Sequence, residues 1–408
     1  MSSEEQPPQL DRPPRGGVIG VGLLGESHAR FLHQGSNGRT KLVAAADTRP
    51  DTAERVASSF GCRAYSDYES LLETEDLDLV FVATPDPLHR EPVIACAQAG
   101  IKHIVLQKPM ATAVADAEAM LAAAEAAGST IYLLYANRAI ALDMACHYGL
   151  RSGLIGEPVY ADVCIEDNIG VPTIMWEQRS RSWAAGSSTA HFLITHLVDR
   201  LRWYLAPAEV AQVQAMVQRR VLGYTPDLYD AFLRFTNGVK ARVKAGWINY
   251  IEVGVESEQI FNGSRGQIIH NRSPRFGTAM GWRANVAADV SVADLEQHQD
   301  RLHQRGLPSR LFVRQPGREG WDAGVTRGLE IGPVGLPQRE YCDFIVDAIV
   351  EGTTAPASWR AWQGDGPLPT GPDGLAVTRV CCAIVDAADQ QTLVDVPLPG
   401  PGLATTAS

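Results

Sequence analysis

The segment VIGVGLLG, close to the start of the chain, is the feature that most restricts its fold. Gly20, Gly22 and Gly25 stand where a short apolar stretch gives way to a helical pattern. This spacing permits a tight turn, a close approach of the backbone to a pyrophosphate, and close packing of the helix on the strand. The first N–H groups of the helix, around Leu23 and Leu24, favour an anion. The pattern predicts a dinucleotide-binding turn, although glycine-rich strand–helix turns also occur without a ligand.

The run KLVAAAD (41–47) indicates a buried parallel strand, because it is short and almost continuously apolar. It ends in Asp47, at about the distance from the glycines where an acid accepts hydrogen bonds from the adenosine ribose. A carboxylate there favours NAD, because it would repel the 2′-phosphate of NADP. Arg49, beyond Thr48, could instead pair with such a phosphate, so NADP is the alternative cofactor. The structural alternative for Asp47 is to cap a helix that begins at Pro50.

Strands and helices alternate from Val18 to about Tyr135, which predicts an α/β domain with a parallel, doubly wound sheet of the Rossmann type. Beyond about residue 156 the apolar residues recur with period two, as in PVYADVCIED and EVAQVQAMVQRRV. The turn dipeptide Asn237-Gly238 separates two more such runs. This second pattern predicts an α+β domain with a large, mainly antiparallel sheet.

The expected organisation follows from these patterns and from the length of 408 residues, which is too long for one typical core. The polar, proline-rich residues 1–16 are expected to be a disordered tail, without the features of a signal peptide. The Rossmann domain is expected over 17–137. An α+β domain for substrate binding and oligomerisation is expected over 138–408, with an irregular insert at 272–335.

Composition excludes several classes of function. The net charge of -11 argues against nucleic acid as a partner, because a polyphosphate binder needs a basic face. No apolar run is as long as a membrane span, so no membrane partner is expected. The seven cysteines form no C-x-x-C pair and predict reduced, packed thiols in a cytoplasmic protein. No spacing of His, Cys and carboxylates predicts a metal site.

Several further segments resemble one known family. They are VATPDPLH, QKP, GLIGEP, GSSTAHFLITHLVD, FTNGVKARV and the closing DGLAVTRVCCAIVDAADQQTLVDV. Together they are similar to the family of glucose–fructose oxidoreductase, inositol dehydrogenase and rhizopine-catabolism proteins, over nearly the whole chain after the tail. The resemblance implies a nicotinamide-dependent oxidoreductase that acts on a secondary alcohol carbon of a sugar, cyclitol or glycoside. It also implies an active site at the cleft between the domains, and homodimers or homotetramers formed through the second sheet.

The resemblance implies catalytic roles for Lys108 and His196. Lys108 would hold the reacting oxygen, and a lysine at the end of a parallel strand points into the crevice where ligands bind in such sheets. His196 would take the hydroxyl proton while the hydride leaves, which suits an imidazole near neutral pH. The alternative is a helix histidine that is merely paired with Asp199, three residues further on.

The same resemblance implies the remaining site residues. The cofactor would contact Thr84, Pro85, His89, Gln107 and Lys108; the substrate would contact Asn137, Arg138, Arg181, Trp183 and Phe192 as well as Lys108 and His196. His89 could equally mark only the start of the next helix. The indole of Trp183 could stack on the C–H face of a sugar ring.

The chain departs from the family pattern at two positions. Gln107 stands where the family usually has Glu, and Phe192 replaces the acid usually found four residues before His196. His191 does not replace that acid, because it lies about 100° around a helix from Phe192. An active enzyme with a rearranged base, a non-catalytic sensor of NAD(P) or a sugar, and an enzyme whose tightly bound cofactor shuttles hydride between two sugars all remain open.

Overall fold

The computed structural model describes residues 12–176, 179–251, 255–272, 280–314, 326–333, 336–337, 339–364 and 366–398. Within these ranges the chain forms two compact units. The first unit contains residues up to 135 together with 340–379. The second contains residues 136–339 and 380–398.

The first unit is built on a parallel sheet. In the described residues its strands are β1 (Arg15–Ile19), β2 (Lys41–Ala46), β3 (Arg63–Tyr65), β4 (Leu79–Val82), β5 (His103–Leu106) and β6 (Thr130–Leu133). Their order is β3-β2-β1-β4-β5-β6, and every neighbouring pair is parallel. The chain therefore reverses its direction of winding between β1 and β4, the point at which open α/β sheets bind ligands. The predicted Rossmann fold is confirmed.

Five helices connect these strands within residues 12–135. They are α1 (Leu23–Gly38), α2 (Pro50–Phe60), α3 (Tyr68–Thr74), α4 (Arg90–Gln98) and α5 (Val114–Ala127). Local sequence accounts for the starts of two of them: Pro50 occupies the first turn of α2, and the Asp67 side chain accepts the N–H of Ser70 at the start of α3.

The second unit contains a larger sheet. Its described strands are β7 (Pro158–Asn168), β8 (Val210–Gln218), β9 (Leu228–Phe235), β10 (Lys240–Asn249), β11 (Val255–Gly263), β12 (Gly266–Asn271), β13 (Gly281–Val286), β14 (Arg310–Arg314), β15 (Thr326–Ile331) and β16 (Val394–Asp395). Their order is β14-β15-β13-β12-β11-β7-β10-β9-β8-β16. Only β7 and β10 pair in parallel among these described strands. The predicted mainly antiparallel sheet is confirmed.

The period-two pattern matches the burial in this sheet. In β7, the side chains of Ala161, Val163 and Ile165 are buried, while Asp162 and Cys164 between them are half-buried. The described helices of the unit are α6 (Ala141–Arg151), α7 (Gly170–Thr173), α8 (Arg179–Gly186), α9 (Thr195–Leu205) and α10 (Val292–Gln304), with a π-helical segment at Ala190–Ile194 before α9.

Residues 340–379 belong to the first unit, which corrects the expected boundary between 17–137 and 138–408. Beyond residue 340 the chain forms α11 (Tyr341–Glu351), α12 (Ala357–Gln363) and α13 (Gly371–Gln390). The Tyr341 hydroxyl donates to the carbonyl of Leu133 over 3.0 Å, and the N–H of Leu133 donates to the carbonyl of Pro369 over 3.0 Å. These contacts span more than 200 residues of sequence, so local patterns could not reveal them. No helix in the described residues is long and apolar enough to cross a membrane.

The expected C-terminal limit of the disordered tail, residue 16, is corrected. Strand β1 already begins at Arg15, while residues 1–11 lie outside the described ranges. The reason is a charged anchor: Asp78 pairs with Arg12, and its carboxylate accepts the N–H of Arg15 over 2.7 Å. The local composition shows only that this segment is polar and rich in proline. It does not reveal that Asp78 is the partner.

The expected irregular insert at 272–335 is also corrected, because its described part contains β13, α10, β14 and β15. Arg283 and Arg310, on separate strands, both pair with Glu330, so charged residues interrupt a simple apolar alternation in these strands. Helix α10 buries only two apolar side chains, Leu295 and Leu302, so only a narrow apolar stripe marks it in the sequence. Residues 273–279, 315–325 and 334–335 lie outside the described ranges.

Replacement of Tyr341 by Phe tests whether 340–379 is integral to the first unit. Loss of the hydrogen bond to Leu133 is expected to lower the free energy of unfolding by about 1 kcal/mol, measured by urea denaturation. Tyr250, whose side chain is exposed, provides the control, and Tyr250→Phe is expected to change stability by less than about 0.5 kcal/mol. Equal effects of the two substitutions would contradict the assignment.

Candidate active site

The three glycines of the first turn have three different surroundings. Gly20 has a φ of +81°, and a Cβ there would lie 2.8 Å from the backbone N of Thr84. A Cβ on Gly25 would lie 1.8 Å from the carbonyl oxygen of Gly20, so helix α1 can approach the strand only through a glycine. A Cβ on Gly22 would have no atom within 4 Å. A tight turn, a close contact and an open approach are what a bound pyrophosphate requires, so these residues fit a dinucleotide.

Asp47 connects the end of β2 to this turn. Its Oδ2 accepts the N–H of Val21 over 3.2 Å, and its Oδ1 accepts the N–H of Arg49 over 3.0 Å. The Arg49 guanidinium also pairs with this carboxylate, from Nε to Oδ1 over 3.1 Å. The N-cap position of helix α2 is Arg49, without a side-chain capping hydrogen bond, so the alternative role of Asp47 as the helix cap is not observed. Thr48 is exposed beside the pair.

His89 joins two loops at the carboxyl edge of the first sheet. Its Nδ1 lies 2.9 Å from the carbonyl oxygen of Pro109, and its Nε2 lies 3.0 Å from that of Thr84. The side chain is buried, and burial lowers the pKa of His89. His89 therefore holds the loop after β4 against the loop that contains Lys108. Pro85, in the first of these loops, is exposed.

Gln107 and Lys108 directly follow β5 and are half-buried. The Gln107 Oε1 accepts the N–H of Lys108 over 3.3 Å, so its Nε2 is the atom that faces the Nε2 of His28, 2.8 Å away. His28 lies on α1 and stacks on Phe81, with ring centroids 4.9 Å apart. Burial lowers the pKa of His28 to about 4, so at neutral pH this imidazole can accept the amide N–H. A glutamate at 107 would lack the donor.

In the second unit, Asn137, Arg138 and His196 are brought together. Arg138 donates from Nε and Nη2 to the two carboxylate oxygens of Asp199, over 3.1 and 2.6 Å, in a buried ion pair. This pair joins the turn that contains residues 137 and 138 to helix α9. The Asn137 Nδ2 lies 3.0 Å from Nδ1 of His196. Arg138 therefore supports the site, while Asn137 contacts the predicted catalytic histidine.

An aromatic cluster surrounds Phe192, the residue that replaces the family's acid. Its ring centroid lies 4.8 Å from that of Trp183 and 6.0 Å from that of Trp247. Trp176 packs against Trp183 with centroids 4.4 Å apart. Phe192 lies in the π-helical segment, one turn before His196. The position at which the family usually has an acid is therefore part of the aromatic cluster.

The neighbouring polar residues make other contacts. The Nδ1 of His191 lies 3.0 Å from Oγ of Ser188, and its Nε2 lies 3.8 Å from Sγ of Cys382. The guanidinium of Arg181, an exposed residue, lies 5.4 Å from the ring centroid of Tyr224. No group of three or more potential metal ligands occurs in the part of the chain that the structure describes.

Sequence reasoning did not identify three residues of these groups: His28, Arg272 and Trp247. His28 lies three residues after Gly25, so the helical period could have suggested it. Arg272 donates from Nη1 to Oδ1 of Asn137 over 3.2 Å, and Trp247 is fully buried against Phe192. No local signal marks either of these two, because their partners are distant in sequence.

Comparison with known proteins identifies both halves of the chain. The model of the GFO/IDH/MocA oxidoreductase family, with an NAD-binding Rossmann fold, matches residues 15–135. The model of the GFO/IDH/MocA C-terminal domain matches residues 145–269.

Individual relatives agree with the family models. Inositol 2-dehydrogenase 3 of Saccharopolyspora erythraea is 32% identical over 95% of this chain and 97% of that protein. Inositol 2-dehydrogenase of Acidothermus cellulolyticus is 34% identical over 55% of this chain and 62% of that protein. A structure of levoglucosan dehydrogenase in complex with NADH and L-sorbose has a TM-score of 0.71 at 23% identity, and covers 95% of this chain and 100% of that one.

Fold, glycine turn and relatives together define an NAD-binding oxidoreductase. The chain belongs to the GFO/IDH/MocA family. The predicted family, enzyme class and NAD cofactor are thereby confirmed.

Two alanine substitutions separate folding from cofactor binding. Gly22→Ala is expected to leave thermal stability unchanged but to weaken NAD binding tenfold or more, about 1.4 kcal/mol, because its Cβ enters the open approach. Gly25→Ala is expected to destabilise the protein, because its Cβ would overlap the Gly20 carbonyl oxygen. Calorimetry and thermal denaturation measure the two effects. Unchanged NAD binding by Gly22→Ala would contradict the proposed pyrophosphate approach.

The low pKa of His28 predicts a pH dependence of stability. Its folded-state pKa of about 4 lies below the ordinary 6.5, so unfolded chains bind the proton first as the pH falls. The free energy of unfolding should therefore decrease between about pH 6.5 and about pH 4. His28→Phe should flatten part of this slope in denaturation titrations. His33→Phe, at an exposed position of the same helix, is the control, and an equal flattening there would contradict the assignment.

Proposed function

We propose that this protein is an NAD-dependent dehydrogenase that transfers a hydride between the nicotinamide and a secondary alcohol carbon of a sugar, cyclitol or glycoside. One observation carries the proposal. The glycine turn, Thr84 and Lys108 follow the carboxyl ends of β1, β4 and β5, which are neighbours in one parallel sheet. A dinucleotide site and a lysine amine thus share one edge of the first unit. The names of the inositol 2-dehydrogenase relatives support the substrate class.

The residues of the chain have the following proposed roles. When bound, NAD supplies the ring carbon that accepts or returns the hydride. Gly20, Gly22 and Gly25 hold the pyrophosphate, and Asp47 accepts hydrogen bonds from the ribose, which makes NAD the preferred cofactor over NADP. Lys108 is the group proposed to hold the reacting oxygen. His196 is proposed to take the hydroxyl proton.

The aromatic cluster suggests how the substrate is held. Trp183 and Phe192 offer ring faces that suit the C–H face of a sugar. Arg181 and Asn137 supply donors for its hydroxyl groups. We assign the second unit to substrate binding on this basis.

We also propose a homodimer or homotetramer in the cytoplasm. Met216 and Phe232, on the adjacent strands β8 and β9, are exposed large apolar side chains, as expected where sheets pair. All seven cysteines are free thiols, which suits a reducing compartment.

A non-catalytic sensor is the second candidate, favoured by one observation: Phe192 places an apolar ring where the family has an acid. A panel of polyols, sugars and glycosides, tested with NAD and NADP by the absorbance of the reduced nicotinamide, separates the candidates. Reduction with one compound supports the dehydrogenase and identifies its substrate class. Bound cofactor without any reduction favours the sensor. Cofactor that stays bound through gel filtration and is reduced by one sugar and reoxidised by another favours the shuttle between two sugars.

Lys108→Met tests the proposed catalytic lysine. Turnover is expected to fall by about 10²–10⁴-fold, while calorimetry still detects NAD binding. Lys102→Met is the matched control, because Lys102 is exposed at the opposite end of β5 and donates to the carbonyl of Ala127. Near-normal turnover in Lys108→Met would contradict the role of this residue.

A further inference from the structure

We infer that Arg49 is a cofactor-specificity residue of the first unit. Its guanidinium covers the Asp47 carboxylate, leaves it when NAD binds, and stays on it when the 2′-phosphate of NADP binds. The first unit therefore accepts NADP as well as NAD. The inference rests on the proposed contact of Asp47 with the ribose, and not on the dehydrogenase reaction.

The acceptor positions of the Asp47 carboxylate are all in use. Its Oδ2 accepts the N–H of Val21 over 3.2 Å and an Nη2–H of Arg49 over 3.3 Å. Its Oδ1 accepts the backbone N–H of Arg49 over 3.0 Å and the Nε–H of the same residue over 3.1 Å. A carboxylate offers about four acceptor positions, so some must be vacated before Asp47 accepts hydrogen bonds from ribose hydroxyls.

The two backbone donors to Asp47 are fixed, whereas the guanidinium is not. The N–H of Val21 belongs to the glycine turn. The backbone of Arg49 is also held on its other side, because its carbonyl oxygen accepts the N–H groups of Thr52 and Ala53 over 3.0 and 3.2 Å. The Arg49 side chain is 41% exposed, so it has room to turn toward solvent. The guanidinium is therefore the group that ribose hydroxyls displace from Asp47.

The same guanidinium has donors left for a phosphate. Its Nε and Nη2 contact Asp47, while its Nη1 makes no hydrogen bond to any residue that the structure describes. The planar fork of an arginine can hold a carboxylate at one edge and a phosphate at another. Arg49 can thus bind a 2′-phosphate without leaving Asp47. Its charge then offsets the repulsion between the phosphate and the carboxylate, which would otherwise exclude NADP.

The two cofactors therefore require opposite states of one ion pair. NAD requires the Arg49–Asp47 pair to open, and the free energy of opening is lost from its affinity. NADP requires the pair to stay closed. Removal of the guanidinium should favour NAD and disfavour NADP, a result that a merely structural role of Arg49 would not produce.

Calorimetric titration of the full chain with NAD and with NADP tests the inference. The unsubstituted protein is expected to bind both. Arg49→Met is expected to bind NAD about two- to fivefold more tightly, because no exposed ion pair has to open. The same variant is expected to bind NADP at least about tenfold more weakly, because the charge-assisted hydrogen bonds to the phosphate are lost.

Two results of these titrations would overturn the inference. One is an unsubstituted protein that does not bind NADP. The other is an Arg49→Met variant in which the two affinities do not move in opposite directions.

Arg55→Met is the matched control. Arg55 lies on α2 of the same unit, and its Nη2 donates to Glu26 over 2.8 Å in another exposed ion pair. This substitution removes the same charge and is expected to leave the ratio of NAD to NADP affinity unchanged. An equal change of this ratio in Arg55→Met and Arg49→Met would assign the effect to net charge and overturn the role of Arg49.

Asp47→Asn separates the inference from the ribose contact on which it rests. Loss of the charged acceptor is expected to weaken NAD binding about tenfold and, by removing the repulsion, to strengthen NADP binding. Unchanged NAD affinity would refute the ribose contact, and the inference with it. If NAD binding weakens here but Arg49→Met leaves the ratio of the two affinities unchanged, the ribose contact stands and the role of Arg49 is refuted.

Crystal structures of the full chain with each cofactor would show the ion pair itself. With NAD bound, the Arg49 guanidinium is expected to lie away from the Asp47 carboxylate. With NADP bound, it is expected to contact both the carboxylate and the 2′-phosphate. An Arg49–Asp47 pair that persists unchanged with NAD bound would overturn the displacement.

Discussion

The parallel pairing of the first sheet is the constraint on which the site depends. Parallel strands all end at one edge, so β1, β2, β4 and β5 deliver their following loops to the same place. The glycine turn follows β1, and Asp47, Thr84 and Lys108 lie in the loops that follow β2, β4 and β5. Asp47 and His89 then connect neighbouring loops through side-chain hydrogen bonds. The strand order therefore places the residues of the dinucleotide site at one edge of the sheet.

Donor chemistry accounts for one of the two departures from the family pattern. Gln107, in place of an acid, donates an amide N–H to His28, whose pKa burial lowers to about 4. A carboxylate at this position would lack that donor and would favour a protonated ring, whereas an amide favours a neutral ring that accepts. At the other departure, Phe192 packs against Trp183 and Trp247 in place of the acid.

The fold class and the glycine turn could be predicted from local sequence, whereas contacts between distant segments could not. The three glycines, the strand that ends in Asp47 and the alternation in β7 all act through neighbours in sequence, and the structure confirms the fold they predict. The attachment of Tyr341 to Leu133, the strands inside 272–335 and the contact of Arg272 with Asn137 join segments far apart in the chain. Periodicity carries no information about such partners.

The sequence by itself determined the Rossmann and antiparallel classes of the two sheets, the NAD-binding turn and the family. These depend on residue spacing and on motifs that act over a few positions. Only the tertiary structure decided that 340–379 completes the first unit, that Arg138 is paired with Asp199, and which nitrogen of His196 faces a donor. The physical reason is that a hydrogen bond is directional and short. Its partners are chosen by where the backbone brings side chains in space, and residue order alone does not contain that position.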